Sequence, residues 1–374
     1  YNPYSFLHII NPGYKYQKEI SGEERYKLVR NRYLEFKEDE IFIQDETPCF
    51  YVYRIINREH QSFSGIIAAA SAEDYENDVI KKHEDTLQHR ENTFKEYLKT
   101  VGFNAEPVLM TYSDKSSIEA IIAKEIENEP EYFFTSPDKI KHSLWVISDR
   151  DKTKALQQEF ESIDSLYIAD GHHRSASSNL LASISEESNP EHTGEEPYNY
   201  FMSYLIPESE IRIYEFNRMV KDLNGLTKEE FLIRLDTFFR ITKKGNELYK
   251  PRKKHHFSMY LDGEFYSLFL RKKVYRFTDE LSKLDTQILY KTVLEPILGI
   301  TDLRSDDRIR YGYGKHNVIK MKDEIDQGHF KIGFGLVPLT IDELKAIADA
   351  GLVMPPKSTY IEPKLRSGMA IYEF

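Results

Sequence analysis

Residues 166–181, LYIADGHHRSASSNLL, can be built in only a few ways. Leu166 to Ala169 is an apolar run of strand length, and Gly171 permits a turn. Ala176, Leu180 and Ile184 then recur at helical spacing. Asp170, His172, His173 and Arg174 therefore fall where a buried strand passes into the N-terminus of a helix. Unpaired backbone N–H groups and the positive end of the helix dipole favour an anion at such a place. Two imidazoles and a guanidinium beside them point to phosphate, and the aspartate points to charge management or a metal. The plainer alternative is a polar turn in which Asp170 caps the helix and both histidines face solvent. Metal binding by His172 and His173 fits less well, because adjacent histidines diverge while a helix chelates from i and i+4.

Strand and helix patterns alternate along the rest of the chain without a regular βαβ rhythm. The expected fold class is α+β, with mixed sheets and helices. IFIQDETPCFYVYRI (41–55) reads as two strands around a turn containing Pro48, and SGIIAAASAEDY as a strand leading into a helix. Asp74 to Lys99 reads as one helix, with Tyr75, Val79, Leu87, Phe94 and Leu98 on its apolar stripe. Asp262-Gly263 sits between two alternating runs and signals a hairpin. Thr227 with Glu230, and Thr340 with Glu343, have the spacing of capping boxes. LDTQILYKTVLEPILGITD reads as a core helix closing at Gly299. We expect two parts: residues 1–185 with the Asp-Gly-His-His-Arg element, and residues 186–374 with the hairpin and a late loop. The acidic stretch 186–196 has the composition of a mobile lid or of a plain loop.

Composition narrows the function. With 40% hydrophobic and 13% aromatic residues, the chain is globular rather than disordered. Its net charge of −11 opposes nucleic acid, and the basic run Lys250 to Lys254 is too short to reverse that. Cys49 is the single cysteine, which excludes an internal disulfide and a cysteine-based zinc site. There is no apolar run of membrane-spanning length and no secretory signal, so a cytoplasmic enzyme is expected. The sequence starts at Tyr1 rather than methionine, so a preceding segment is expected.

Two more stretches carry chemistry. In IKKHEDT (80–86), placed on the expected helix, His83 lies on the apolar stripe and Glu84 at its edge. A partly desolvated carboxylate suits a general base; an exposed Glu84 paired with Lys81 or Lys82 is the reading that spacing alone favours. In MPPKSTYIEPKLRSG (354–368), Lys357, Ser358, Thr359, Lys364 and Arg366 could bind phosphate or form ordinary surface. No Walker A, kinase glycine loop or dinucleotide fingerprint is present.

NPYSFLHII, DYENDVIKKHEDT, YIADGHHRSAS, VLEPILGI and VMPPKSTYIEPKLRSG, in this order, resemble the bacterial and archaeal family DUF1015 over nearly the full length. The three polar stretches are also similar to the active-site elements of free serine kinases of the ParB/sulfiredoxin-like superfamily. Those enzymes carry a His-Glu pair on a helix, a strand–DGHHR–helix element and a late P-K-[ST]-T loop. The resemblance implies a ParB/sulfiredoxin-like core elaborated by insertions, and a kinase using ATP or ADP with Mg²⁺ on the phosphates. Its partners would be a nucleotide and a small hydroxyl substrate such as serine or a related amino acid. It implies Glu84, paired with His83, as the base that accepts the hydroxyl proton, and Asp170 as the motif's essential acidic residue. Gly171, His172, His173 and Arg174 would hold nucleotide phosphates, and Lys357, Ser358 and Thr359 match the late loop. Two other readings are a ParB-like nucleotide-binding regulator without kinase activity, and a metal-dependent hydrolase using His172, His173 and His83.

Overall fold

A computed structural model describes residues 2–314 and 316–374 as an α+β protein. The chain divides into two compact units, and each draws on separated stretches of sequence. The first comprises Tyr1–Lys82, Thr86–Ile211 and Pro363–Phe374; the second comprises His83–Asp85 and Arg212–Glu362. Among the described residues no helix is long and apolar enough to cross a membrane.

The first unit is built on an eight-stranded mixed sheet. Its strand order is Ile80–Lys81, Leu166–Asp170, Val108–Tyr112, Tyr200–Pro207, Ser62–Ser71, Phe50–Ile56, Lys141–Ile147 and Tyr132–Thr135. Two pairings are parallel, Ile80–Lys81 with Leu166–Asp170 and Val108–Tyr112 with Tyr200–Pro207. Val108–Tyr112 is buried at every residue, as a strand covered on both faces must be. Val52, Ile66, Met110, Trp145 and Ile168 pack with Ile118 and Ile122 of the helix Ser116–Ile126 and Leu156 of the helix Arg150–Glu161. A second cluster joins Val29, Tyr33 and Phe36 of the helix Gly22–Glu38 to Val101 and Phe103. There the short strand Tyr372–Glu373 pairs with Phe103–Asn104, and the Glu373 carboxylate accepts from Lys37 at 2.6 Å and Tyr33 at 3.2 Å.

The hairpin expected around Pro48 is displaced. Only Phe50–Ile56 of that stretch is a strand, and it pairs with Ser62–Ser71. Ile43 to Pro48 are exposed, and a segment with Asp45, Glu46 and a proline lacking an N–H has little to offer a ladder. The turn forms at Asn57 instead, whose side chain accepts from the N–H groups of Glu59 and Gln61, each at 3.0 Å. Gly65 is needed in this sheet, because a Cβ there would lie 2.5 Å from the Leu205 carbonyl oxygen.

The second unit holds a six-stranded antiparallel sheet, ordered Phe239–Gly245, Glu264–Leu270, His256–Leu261, Ile332–Gly335, Phe216–Val220 and Ile309–Tyr313. The hairpin at Asp262-Gly263 forms as expected: Leu261 pairs with Glu264, and both turn residues have positive φ, 50° and 79°. One side of the sheet packs on Phe231 and Leu235 of the helix Lys228–Asp236 and on Ile288, Leu289 and Val293. Met219, Tyr260 and Phe265 pack with Val318, Met321 and Ile325 of the helix Asn317–Asp326. Both capping boxes are present. The core helix expected to run to Gly299 is α-helical only over Asp285–Leu289, then widens into a π turn at Tyr290–Leu294. Gly299 ends the segment at φ 68°.

Candidate functional site

In the first unit, Leu166–Asp170 buries Tyr167, Ile168 and Ala169 and delivers Asp170 to the sheet's end. Gly171 follows at φ 101° and ψ 27°, and the helix His172–Ser188 begins at once. A side chain at Gly171 would be strained in that left-handed conformation, and its Cβ would lie 2.8 Å from Arg174 Nη2. The crowding has a purpose. Arg174 folds back over the turn, donates to the Glu106 carboxylate, and brings Nη2 within 3.5 Å of Asp170 Oδ2. Lys364 Nζ reaches Asp170 Oδ1 at 3.3 Å.

Asp170 therefore does not cap the helix. Gly171 occupies the N-cap position without a side-chain hydrogen bond, and the first turn carries no acidic residue. The reading with both histidines in solvent also fails, since His172 is 4% exposed and His173 is half-buried. What remains is a helix terminus opened by a glycine, with two cations and their carboxylate partners Asp170 and Glu106 around it; the helix dipole favours an anion there. Gly171→Ala should cost about 1–2 kcal/mol in stability from the left-handed backbone alone and push Arg174 off Glu106. Urea unfolding and phosphate titration would read both effects. A variant matching the wild type in the two assays would show that the turn does not depend on glycine.

His83 and Glu84 do not lie on a helix. The first helical segment ends at Glu76, Asp78 takes a left-handed conformation at φ 60°, and the next helix starts at Gln88. Ile80 and Lys81 between them form a strand edge beside Leu166 and Tyr167. The β-branched Val79-Ile80 pair and the reversal at Asp78 favour that edge over a continued helix. Glu84 is exposed rather than set in an apolar stripe, so the argument that burial raises its proton affinity falls away.

Within the second unit, the His83 carbonyl accepts from the Met354 N–H at 2.9 Å, and the Asp85 carbonyl accepts from Arg304 at 3.3 Å. His83 is fully buried, and burial lowers its pKa to about 4, so the ring is neutral at pH 7.

The late loop belongs to the same unit. Lys357 has φ 57°, and its ammonium lies 5.6 Å from the centre of the Phe216 ring. Ser358 is buried; its hydroxyl donates to the Pro355 carbonyl at 2.6 Å and lies 3.2 Å from the Thr286 hydroxyl. Thr359 is half-buried. Ser358 thus holds the loop, leaving Lys357 and Thr359 as its candidate ligand donors. Beneath them, Arg218 is 2% exposed and donates to the carbonyls of Phe216 and Lys357, the latter at 3.0 Å. Asp285, next to Thr286, is also buried. Its Oδ1 accepts from the His255 N–H at 2.8 Å, Oδ2 has no partner among the described residues, and burial raises its pKa to about 7.

Glu106, Arg218 and Asp285 were not among the residues expected to matter. Glu106 could have been suspected from its place just before the strand Val108–Tyr112. Arg218 and Asp285 belong to no motif, and their partners Lys357 and His255 lie 139 and 30 positions away in the chain.

The profile of the family described as "Protein of unknown function (DUF1015)" matches residues 1–287. The chain belongs to this family. No curated protein matches it. Among solved structures, this DUF1015 chain is similar to a free serine kinase variant in complex with AMP, at 13% identity and a TM-score of 0.40, covering 79% of this chain and 87% of that one. It is also similar to SbnI with a C-terminal truncation from Staphylococcus aureus, at 12% identity and a TM-score of 0.43, covering 80% and 84%. A conserved hypothetical protein from Pyrococcus furiosus matches at 13% identity and a TM-score of 0.39, covering 82% and 95%.

Proposed function

We propose that this DUF1015 protein is a small-molecule kinase that transfers the terminal phosphoryl group of ATP or ADP to the hydroxyl of a free compound such as serine. The observation that carries this reading is the strand–Gly171–helix turn, which brings Arg174 and Lys364 to the N-terminus of the helix His172–Ser188. Gly171, His172, His173 and Arg174 bind the phosphates, and Lys357 and Thr359 add donors from the loop that Ser358 anchors. Phosphoryl transfer asks for this kind of equipment, because it depends on positioning and charge neutralisation more than on covalent catalysis.

Glu84 accepts the hydroxyl proton as the substrate oxygen bonds to the transferred phosphorus. The bond from that phosphorus to the bridging oxygen breaks, and ADP or AMP leaves. His83, neutral at pH 7, positions the segment that carries Glu84. Asp170 fits a magnesium ion carried on the phosphates, since its half-exposed carboxylate is a hard oxygen donor. Such an ion would neutralise phosphate charge there.

The test is phosphorus NMR on the protein with Mg²⁺, ATP or ADP, and pools of free hydroxyl compounds. A new phosphoester is expected. Glu84→Gln should lower its rate of formation by about 10²–10⁴ with nucleotide affinity retained, and Asp170→Asn should also suppress it. Nucleotide binding without an ester in any pool would sink the kinase reading and leave a nucleotide-binding regulator.

A further inference from the structure

The first unit contains a cavity of about 320 Å³ that the phosphate reading leaves unused. Phe6, Phe94 and Tyr97 give it aromatic walls, and Asn104, Glu106 and Arg174 bring polar groups to it. The walls are held by their own neighbours. Phe94 and Tyr97 stack with centroids 5.5 Å apart, and Tyr26 meets Tyr97 edge-on at 5.2 Å. Asn104 Oδ1 accepts from the Met202 N–H at 3.0 Å, which fixes the orientation of that amide.

Arg174 links the cavity to the Gly171 turn. Its guanidinium packs against Gly171 at one end and donates to Glu106 at the other. Its Nε is buried and has no hydrogen-bond partner among the described residues. That atom faces the Gly171 turn, so an acceptor on the part of a ligand lying at the turn would satisfy it, while the opposite edge of the guanidinium, beside Glu106, belongs to the cavity.

We propose that this cavity takes the adenine base of the nucleotide whose phosphates occupy the Gly171 turn; the proposal rests on the phosphate reading and adds the base to it. A purine has the complementary features. Its flat faces suit the aromatic walls, its ring nitrogens accept from Arg174, and its exocyclic amine donates to Glu106. A plain hydrocarbon would fill the volume but satisfy neither polar group. The size lies at the lower end of the range for small-ligand pockets, which suits a base with its sugar directed toward the turn.

Calorimetric titration of the full chain with adenosine, ATP and inorganic tripolyphosphate tests this. Two variants are needed: Phe94→Ala removes a wall, and Thr93→Phe narrows the cavity should Phe94→Ala fail to fold. Thermal melts confirm that each is folded. Adenosine and ATP should bind the variants about tenfold more weakly or worse, the usual loss for one base–aromatic stack, while tripolyphosphate binds as in the wild type. ATP affinity unchanged in both folded variants would overturn the cavity assignment and leave the phosphate turn standing. Adenosine binding that weakens in the variants, without any tripolyphosphate binding, would support the cavity and overturn the phosphate turn. Failure of both adenosine and ATP to bind the wild type overturns both.

Discussion

Asp285→Asn should raise the melting temperature at pH 8 and leave it nearly unchanged at pH 4. Burial raises the Asp285 pKa from its ordinary 3.8 to about 7 in the folded protein. Between those values the folded state keeps a proton that the unfolded chain has released. Stability therefore falls as pH rises through the window, and the loss is complete above pH 7. A shift of about three pKa units corresponds to at most roughly 4 kcal/mol. Asparagine stays neutral throughout, and its Oδ1 can still accept from the His255 N–H. Like the protonated acid, it places a donor where Oδ2 lay, so its geometry resembles the form that the folded protein prefers. Melting curves at pH 4, 6 and 8 decide the matter. Identical melting of variant and wild type at pH 8 would mean that the charged carboxylate finds a partner or water after all.

Arg218→Met is expected to loosen the late loop. Methionine keeps much of the length and bulk but donates to nothing, so the carbonyls of Phe216 and Lys357 lose their partner. An unsatisfied buried carbonyl costs about 1–3 kcal/mol. Relief from burying a cation offsets part of this; burial already lowers the Arg218 pKa to about 10. We expect a net loss of about 2 kcal/mol by the same reasoning. The larger effect should be local. Lys357 stands in a left-handed conformation that Arg218 holds from below, so amide protection from Lys357 to Tyr360 should drop at least tenfold. Hydrogen exchange with unchanged protection there would show that Ser358 alone secures the loop.

The elements that were legible in the sequence are those specified by neighbours in the chain. The strand–Gly171–helix element, the Asp262-Gly263 hairpin and the two capping boxes all formed as read, because their turn and cap residues act within a few positions of themselves. Helical periodicity misled around His83. Tyr75, Val79 and Leu87 keep the spacing of a stripe, but Val79 leads into a strand edge whose partner, Leu166, lies far along the chain. The same non-locality hid the site's supports. Glu106 acquires its role from Arg174, 68 residues away, and Arg218 acquires its role from Lys357, 139 residues away. The sheet pairs on both sides of the strand that carries Arg218, and every residue of that strand is buried.

The pairing of Tyr372–Glu373 with Phe103–Asn104 sets a schedule for biosynthesis. Residues 212–362 emerge from the ribosome between the main body of the first unit and the short segment that closes it. Phe103, Tyr33 and Lys37 are made early, yet their edge strand and their carboxylate arrive only with residues 372 and 373. The second unit has no such debt, because its sheet strands lie wholly within its long segment. The first unit is thus closed only after the second has been made, and its open edge waits through the synthesis of an entire second core.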